Sequence, residues 1–218
     1  MTQPYSIESV AERLTALGIP FSHHFARALV ALLTGRKISL HQVTHLMPGE
    51  QNPEANRQQL RRCLDHGTLT QETWSKAISA LLPRDKWVLA LDRTEWQRGE
   101  TTTNVLVLAV VVHDCAVPLL WTIVPECGAS DTEERTELLT RFVALFGKER
   151  MRFVTADRQF IGREWIGWLL SEQIPCRIRI KAGEYLEHRD GRVWRAADWF
   201  DLRACRCKPQ PMRLWGLP

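Results

Sequence analysis

The stretch from Trp87 to Trp96 reads Trp-Val-Leu-Ala-Leu-Asp-Arg-Thr-Glu-Trp and sets Asp92 directly behind five consecutive apolar residues. An unbroken run of that kind, rich in branched and aromatic side chains, is the pattern of a strand buried on both faces of a sheet. A carboxylate at the end of such a strand is costly unless it is solvated, hydrogen-bonded or bound to a metal. The arrangement recurs at Met151 to Ala156, a second short strand pattern that leads into Asp157, Arg158, Gln159, Phe160 and Ile161. Read alone, either aspartate is a strand-end or helix-capping residue. Two of them, each closing a strand and each followed by arginine, would meet if the strands were neighbours in one sheet. Such a pair repels unless a cation or a proton lies between the carboxylates. With oxygen ligands only and no clustered histidine, the cation would be hard, Mg²⁺ or Mn²⁺, and the chemistry would be two-metal phosphoryl transfer.

Around this pair the chain divides by pattern. Residues 1–85 carry helical periodicity. Ile7, Val10, Leu14 and Leu17 share one face before Gly18 and Pro20; Phe25 to Leu33 is closed by Gly35; Ile38, Leu40, Val43 and Leu46 end at Pro48-Gly49. Pro53 to Cys63 and Thr70 to Leu82 supply two more helices, the last with Trp74, Ile78, Leu81 and Leu82 at helical spacing. Arg27, Arg36, Lys37, Arg57, Arg61 and Arg62 make this bundle a candidate for touching DNA, although helical bundles serve many purposes. His41 and His45 stand four apart, as in a zinc protease helix, but Gln42 occupies the place of the glutamate base, which excludes that reading and leaves a half-buried helical face.

From Lys86 the pattern is that of strands. Val105 to Val112 and Val117 to Val124 are further apolar runs joined by a His113-Asp114 turn, and Gly99 to Asn104 supplies the turn after the first strand. Ser130-Asp131-Thr132-Glu133 reads as a capping box for a helix with Leu138, Leu139, Phe142, Val143 and Phe146 on one face, stopped at Gly147. That helix is a crossover able to return the Asp157 strand parallel to the first. Gly162 to Glu172 is another helix, with Trp165, Trp168 and Leu169 inward, and Cys176 to Ile180 alternates as a further strand.

Three antiparallel strands, a helix, a strand, a helix and a strand, with aspartates at the ends of the first and fourth strands, is the order of a ribonuclease H-like α/β fold. The blocks Leu91-Asp92-Arg93-Thr94-Glu95-Trp96, Pro118-Leu119-Leu120-Trp121 and Ala156-Asp157-Arg158-Gln159-Phe160-Ile161-Gly162 resemble the signature blocks of DDE transposases of the insertion-sequence-four family. The resemblance covers roughly residues 20 to 217, and the Asp-Arg-X-Phe-Ile-Gly block is its most specific part. It implies a helical DNA-binding domain at 1–85, a partial catalytic core at 86–180, and at 181–218 the start of a β-rich insertion. It further implies that Asp92 and Asp157 are the first two members of an acidic triad holding Mg²⁺ or Mn²⁺ for cleavage and transfer of DNA strands. The partner would be double-stranded DNA, the transposon ends, with a homodimer as the assembly to test. Arg158, beside the second acid, is a weaker candidate for a phosphate contact, equally read as a surface salt bridge.

One part of the family pattern is missing. The third acid belongs to a block of tyrosine, arginine, glutamate and lysine at fixed spacing, and the two tyrosines here, Tyr5 and Tyr185, are followed three residues on by Glu8 and His188. Glu164, Glu172 and Glu184 do not match its position. The expectation is a carboxy-terminally truncated transposase that cleaves DNA weakly or not at all by itself, because the missing carboxylate removes several kcal/mol of transition-state stabilisation. A non-catalytic DNA-binding remnant is the rival reading.

Composition bounds the rest. With 218 residues, a net charge of +4 and pI near 8.8, the chain is globular and mildly basic. The excess sits at the end: from Arg177 onward ten Lys and Arg face five Asp and Glu, with Trp194, Trp199 and Trp215 interleaved. Such a segment can face a phosphate backbone, but alone it is the pattern of solvated surface. The longest apolar run, Val105 to Val112, is far too short to span a membrane and no signal pattern opens the chain, so a cytoplasmic protein is expected. In that compartment the six cysteines are thiols, and Cys205 and Cys207 lack the second pair of a structural zinc site.

Overall fold

Helices come first because the first part of the chain repeats its apolar residues at helical spacing. They are α1 (Ile7–Ala16), α2 (His23–Gly35), α3 (Leu40–Leu46), α4 (Pro53–Asp65) and α5 (Gln71–Leu81). The computed structural model describes residues 5–36, 38–50, 52–65, 69–124, 131–199 and 213–214, and these form two compact units, Met1–Leu82 and Pro83–Pro218.

In the first unit Val10, Leu14, Ile19, Ala26, Val30 and Ala77 form one apolar cluster, and Ala28, Ala31, Val43, Met47 and Leu60 a second. Ser6, Ser22 and Thr70 each accept a backbone N–H at the start of their helices, satisfying donors that a helix leaves open. Several expectations are corrected here. Arg27, counted among the DNA-facing cations, is buried: it donates to the Pro48 carbonyl and to Asn56 Oδ1 at 3.1 Å, and Asn56 in turn donates to the Thr44 carbonyl at 3.0 Å. It is a polar clamp between α2 and α4. Gly35 does not supply the left-handed turn that ends α2; Arg36 does, at φ 49°, while Gly35 leaves room for Leu46. Ile38 lies outside α3 and is 92 % exposed, and Leu81 is exposed on α5. His41 and His45 are both exposed rather than half-buried.

The second unit is built on β1 (Trp87–Arg98), β2 (Thr101–Val112), β3 (Cys115–Val124), β4 (Met151–Ala156) and β5 (Cys176–Ile178), one sheet in the order β3-β2-β1-β4-β5. The first three strands are an antiparallel meander, and β4 and β5 run parallel to β1. The crossovers are α6 (Thr132–Phe146) between β3 and β4, and α7 (Arg163–Ser171) between β4 and β5. This is the ribonuclease H-like mixed sheet with flanking helices, preceded by a helical region. Pro118 is tolerated because β3 is an edge strand. Beside it the register skips Leu119, and that irregularity lets the consecutive Leu119 and Leu120 both be fully buried.

The hairpin between β1 and β2 is longer than its apolar runs suggest. Only Gly99 and Glu100 turn, and Thr101 to Asn104 pair with Glu95 to Arg98. The start of α6 also shifts by one residue. Asp131, not Ser130, is the cap, accepting from Glu134 N at 2.9 Å while the Glu134 carboxylate accepts from Asp131 N at 3.1 Å. Ser130 lies outside the described residues, as do Cys205 and Cys207.

Within the sheet, burial is heavier on one face, although Val105 and Ala109 of β2 are buried on the other. Trp87, Leu89 and Leu91 are buried, and α6 covers their face: the rings of Phe142 and Phe146 meet Trp87 at 6.2 and 5.5 Å. α7 packs beside α6 through the fully buried Trp165 and Leu169, with Trp168 stacked on Trp165 at 5.7 Å and itself only half-buried. Val88 and Ala90, on the other face of β1, are half-exposed, so the apolar run is not a strand buried on both sides. Beyond β5, β6 (Tyr185–Glu187), β7 (Val193–Arg195) and β8 (Arg213–Leu214) form a small antiparallel sheet, with α8 (Ala196–Trp199) following β7. Its turn is drawn together by Asp190, which pairs with Arg192 at 2.6 Å and His188 at 2.9 Å. Hydrogen bonds from Arg192 hold the Asp190 carboxyl well below the usual carboxylate range. No helix among the described residues is long and apolar enough to cross a membrane.

Candidate active site

Leu91 pairs with Ala156 in the parallel register of β1 and β4, so the next residue on each strand is an aspartate. Side chains alternate across a sheet and neighbouring strands lie about 4.8 Å apart. Leu89, Leu91, Val154 and Ala156 therefore point to the helix-covered face, all buried, while Ala90, Asp92 and Thr155 point to the other. Asp157 keeps an extended backbone, φ −77° and ψ 169°, which carries the alternation one residue past the strand end. Both carboxylates open into one cavity of about 390 Å³, lined by Ala90, Leu91, Asp92, Thr155, Ala156, Asp157 and Arg179. The sequence put both acids at strand ends. Asp157 does follow the last residue of β4, but Asp92 lies inside β1, which stays paired with β2 as far as Arg98. The parallel register sets the two acids side by side.

Each acid is held locally. Asp92 Oδ1 accepts from Arg93 N at 2.8 Å. Asp157 begins a single 3₁₀ turn, Arg158–Phe160, and its carbonyl accepts from Phe160 N at 3.0 Å. That turn is anchored from below by Arg135 of α6, buried at 5 % exposure, whose guanidinium donates to the Phe160 carbonyl at 3.4 Å and lies 5.2 Å from the Phe160 ring centre. Burial lowers the Arg135 pKa, offset in part by Asp131 and Glu134. A buried cation is tolerable only with such partners.

Arg179 was not singled out from the sequence, yet it is the cation of the cavity. Its guanidinium stands 3.8 Å from Asp157 Oδ1, and its backbone N–H donates to the Ala156 carbonyl at 3.3 Å. The two side chains are 83 % and 51 % exposed, so water screens the pair and it contributes little to stability. Arg177, two residues earlier and on the same face, lies 4.3 Å over the Phe153 ring, and its carbonyl accepts from Thr155 Oγ1 at 2.9 Å. The signal was present: Arg177 and Arg179 alternate with Ile178 and Ile180, which assigns both arginines to one face.

The other candidates lie elsewhere. Arg158 is exposed on the 3₁₀ turn and is not among the cavity-lining residues. Arg36, Arg61 and Arg62 are exposed in the helical unit, and Lys37 lies outside the described residues. Glu164 and Glu172 on or beside α7, and Glu184 before β6, do not line the cavity. No group of three or more His, Cys, Asp or Glu among the described residues is placed to hold a metal ion. Two carboxylates opening into one polar cavity nevertheless fit a hard divalent cation, because Mg²⁺ is commonly held by one or two carboxylates with water and substrate phosphate completing its shell.

No protein-family model and no curated protein sequence matches the chain. Solved structures do. The HTLV-2 integrase catalytic core domain in complex with magnesium is similar in its trimeric form at 11 % identity and a TM-score of 0.33, covering 44 % of this chain and 60 % of that one. Its dimeric form gives 12 % identity and a TM-score of 0.32, covering 44 % and 62 %. The simian T-cell lymphotropic virus intasome in complex with PP2A regulatory subunit B56 gamma gives 16 % identity and a TM-score of 0.36, covering 56 % and 47 %. The chain thus spans less than two thirds of each of these neighbours.

Proposed function

We propose that this chain is a transposase-type polynucleotidyl transferase of the insertion-sequence-four family, directed at a phosphodiester at the ends of a DNA element. The observation that carries the reading is the Leu91 to Ala156 register, which opens Asp92 and Asp157 into one cavity beside Arg179. Asp92 and Asp157 would hold Mg²⁺ or Mn²⁺, which when bound supplies charge neutralisation of the phosphodiester and activation of water or a 3′-hydroxyl. Arg179 leaves its weak pairing with Asp157 to meet a phosphate oxygen, and Arg177 extends the cationic edge along β5. Thr155 fixes the β4–β5 edge by donating to the Arg177 carbonyl. The exposed Arg36, Arg61 and Arg62 of the helical unit contact the phosphate backbone of double-stranded DNA.

The cavity offers two carboxylates and no third among the described residues, which favours very weak cleavage by this chain alone. The same observation supports a second reading, a non-catalytic DNA-binding protein. Mn²⁺ titration and incubation with a labelled DNA end separate the two. The transferase reading expects Mn²⁺ binding that is lost in Asp92→Ala and in Asp157→Ala, with any strand cleavage lost alongside. Robust strand transfer that survives Asp92→Ala would refute it. Salt-dependent DNA binding with no divalent-metal binding would leave the second reading.

A further inference from the structure

Two exposed histidines take no part in the acidic cavity. His41 and His45 stand four apart on α3, so they share one face of a helix whose inner side carries the buried Val43 and Thr44. Their rings lie 4.3 Å apart, tilted at 54°. The His45 ring is held by its own helix, with Nδ1 2.7 Å from the His41 carbonyl oxygen. A carbonyl can only accept, so Nδ1 carries the proton and Nε2 of the neutral ring keeps its lone pair for a ligand. Metal-binding histidines are set up in this way, one nitrogen donating to a carbonyl while the other meets the ion.

The chemistry of the pair selects its ligand. Two imidazoles on one ion, with metal–nitrogen bonds of about 2.0–2.1 Å, put their donor nitrogens about 3 Å apart, which rings this close reach by rotating exposed side chains. Imidazole suits Zn²⁺, Cu²⁺ and Ni²⁺, whereas carboxylates suit Mg²⁺ and Mn²⁺. The histidine pair and the two aspartates would thus sort different ions. α3 also has much to gain from a cross-link. It is seven residues long and its N-cap Ser39 makes no side-chain hydrogen bond, so little within the helix itself holds it. The His41 carbonyl accepts from Thr44 Oγ1 at 2.9 Å as well, and the Thr44 carbonyl accepts from Asn56 Nδ2 at 3.0 Å. An ion across His41 and His45 would therefore brace the turn on which the Arg27–Asn56 clamp rests.

We propose that His41 and His45 bind one borderline transition-metal ion, Zn²⁺, Ni²⁺ or Cu²⁺, with water completing its shell, and that the ion braces α3 within the helical unit. The site is independent of the transferase reading and of the hard cation at Asp92 and Asp157.

The test titrates the full chain with Ni²⁺ by calorimetry and follows hydrogen exchange across α3. The wild-type chain is expected to bind about one Ni²⁺, at an affinity that falls about tenfold or more in His41→Ala and in His45→Ala and is unchanged in Asp92→Ala. Cu²⁺ should bind more tightly than Ni²⁺, and Mg²⁺ should not compete. At about ten times the dissociation constant, exchange across α3 should slow by about tenfold in the wild-type chain and in neither histidine variant. Both side chains are exposed, so the variants should keep the fold. Equal Ni²⁺ affinity in the wild-type chain and the two variants would overturn the proposal. Binding lost in the variants with no slowing across α3 would mean an adventitious ion only. About half an ion per chain, with Ni²⁺-dependent self-association in sedimentation, would mean a bridge between two copies. Either result overturns the brace.

Discussion

The two faces of the sheet share every backbone hydrogen bond and differ in what covers them. On one, Leu89, Leu91, Leu106, Leu108, Val110, Leu120 and Val154 are at most 2 % exposed beneath α6. On the other, the same strands present Asp92, Trp96, Ile123 and Asp157 to solvent, with Thr94, Val107 and Trp121 only half-covered and Val105 and Ala109 buried among them. The closed face carries the burial that holds the second unit together. The exposed part of the other face is left to charge and aromatic surface, so its exposed residues can be exchanged at little cost to the fold.

Substitution on each face should break or sharpen that contrast. Leu89→Ala, at a fully buried site facing α6, is expected to destabilise by about 3 kcal/mol, read as a lower urea midpoint at unchanged slope. A loss below about 1 kcal/mol would mean that the helix-covered face is not the main core. Arg135→Ala removes the clamp under the Asp157 turn and should cost about 2 kcal/mol, with faster hydrogen exchange at the Phe160 and Ile161 amides. Normal protection there would show that the turn holds itself. Arg179→Ala, on the open face, should leave stability within about 0.5 kcal/mol while lowering the salt dependence of DNA binding by about one counterion. A large loss of stability would assign Arg179 to the fold rather than to the cavity.

Particular residues show where the sequence sufficed. Gly147 stops α6 as its position predicts, with φ 78° and its N–H donating to the Val143 carbonyl at 2.9 Å. The crossover helices followed from period alone, because apolar spacing dictates which residues can share a face. Other features depended on partners distant in sequence. Arg27 looked like a surface cation until the Pro48 carbonyl and Asn56 were found against it, 21 and 29 residues away. The one-residue shift of the α6 cap was decided by backbone dihedrals at Asp131, since Asp131 and Glu134 satisfy the same motif as the pair before them. Arg179 was missed because an alternating Arg-Ile segment fixes a face without saying what that face meets.

Sequence by itself determined that an aspartate follows each of two apolar runs, since such a run must end where a carboxylate needs water or a partner. It did not show that the first strand continues past Asp92 to Arg98. It could not decide that the strands are neighbours, in register, and bare on the side the carboxylates use. Those are long-range outcomes: a parallel pairing joins residues some sixty-five positions apart, as Leu91 meets Ala156, and one residue of slip would turn either carboxylate to the other face.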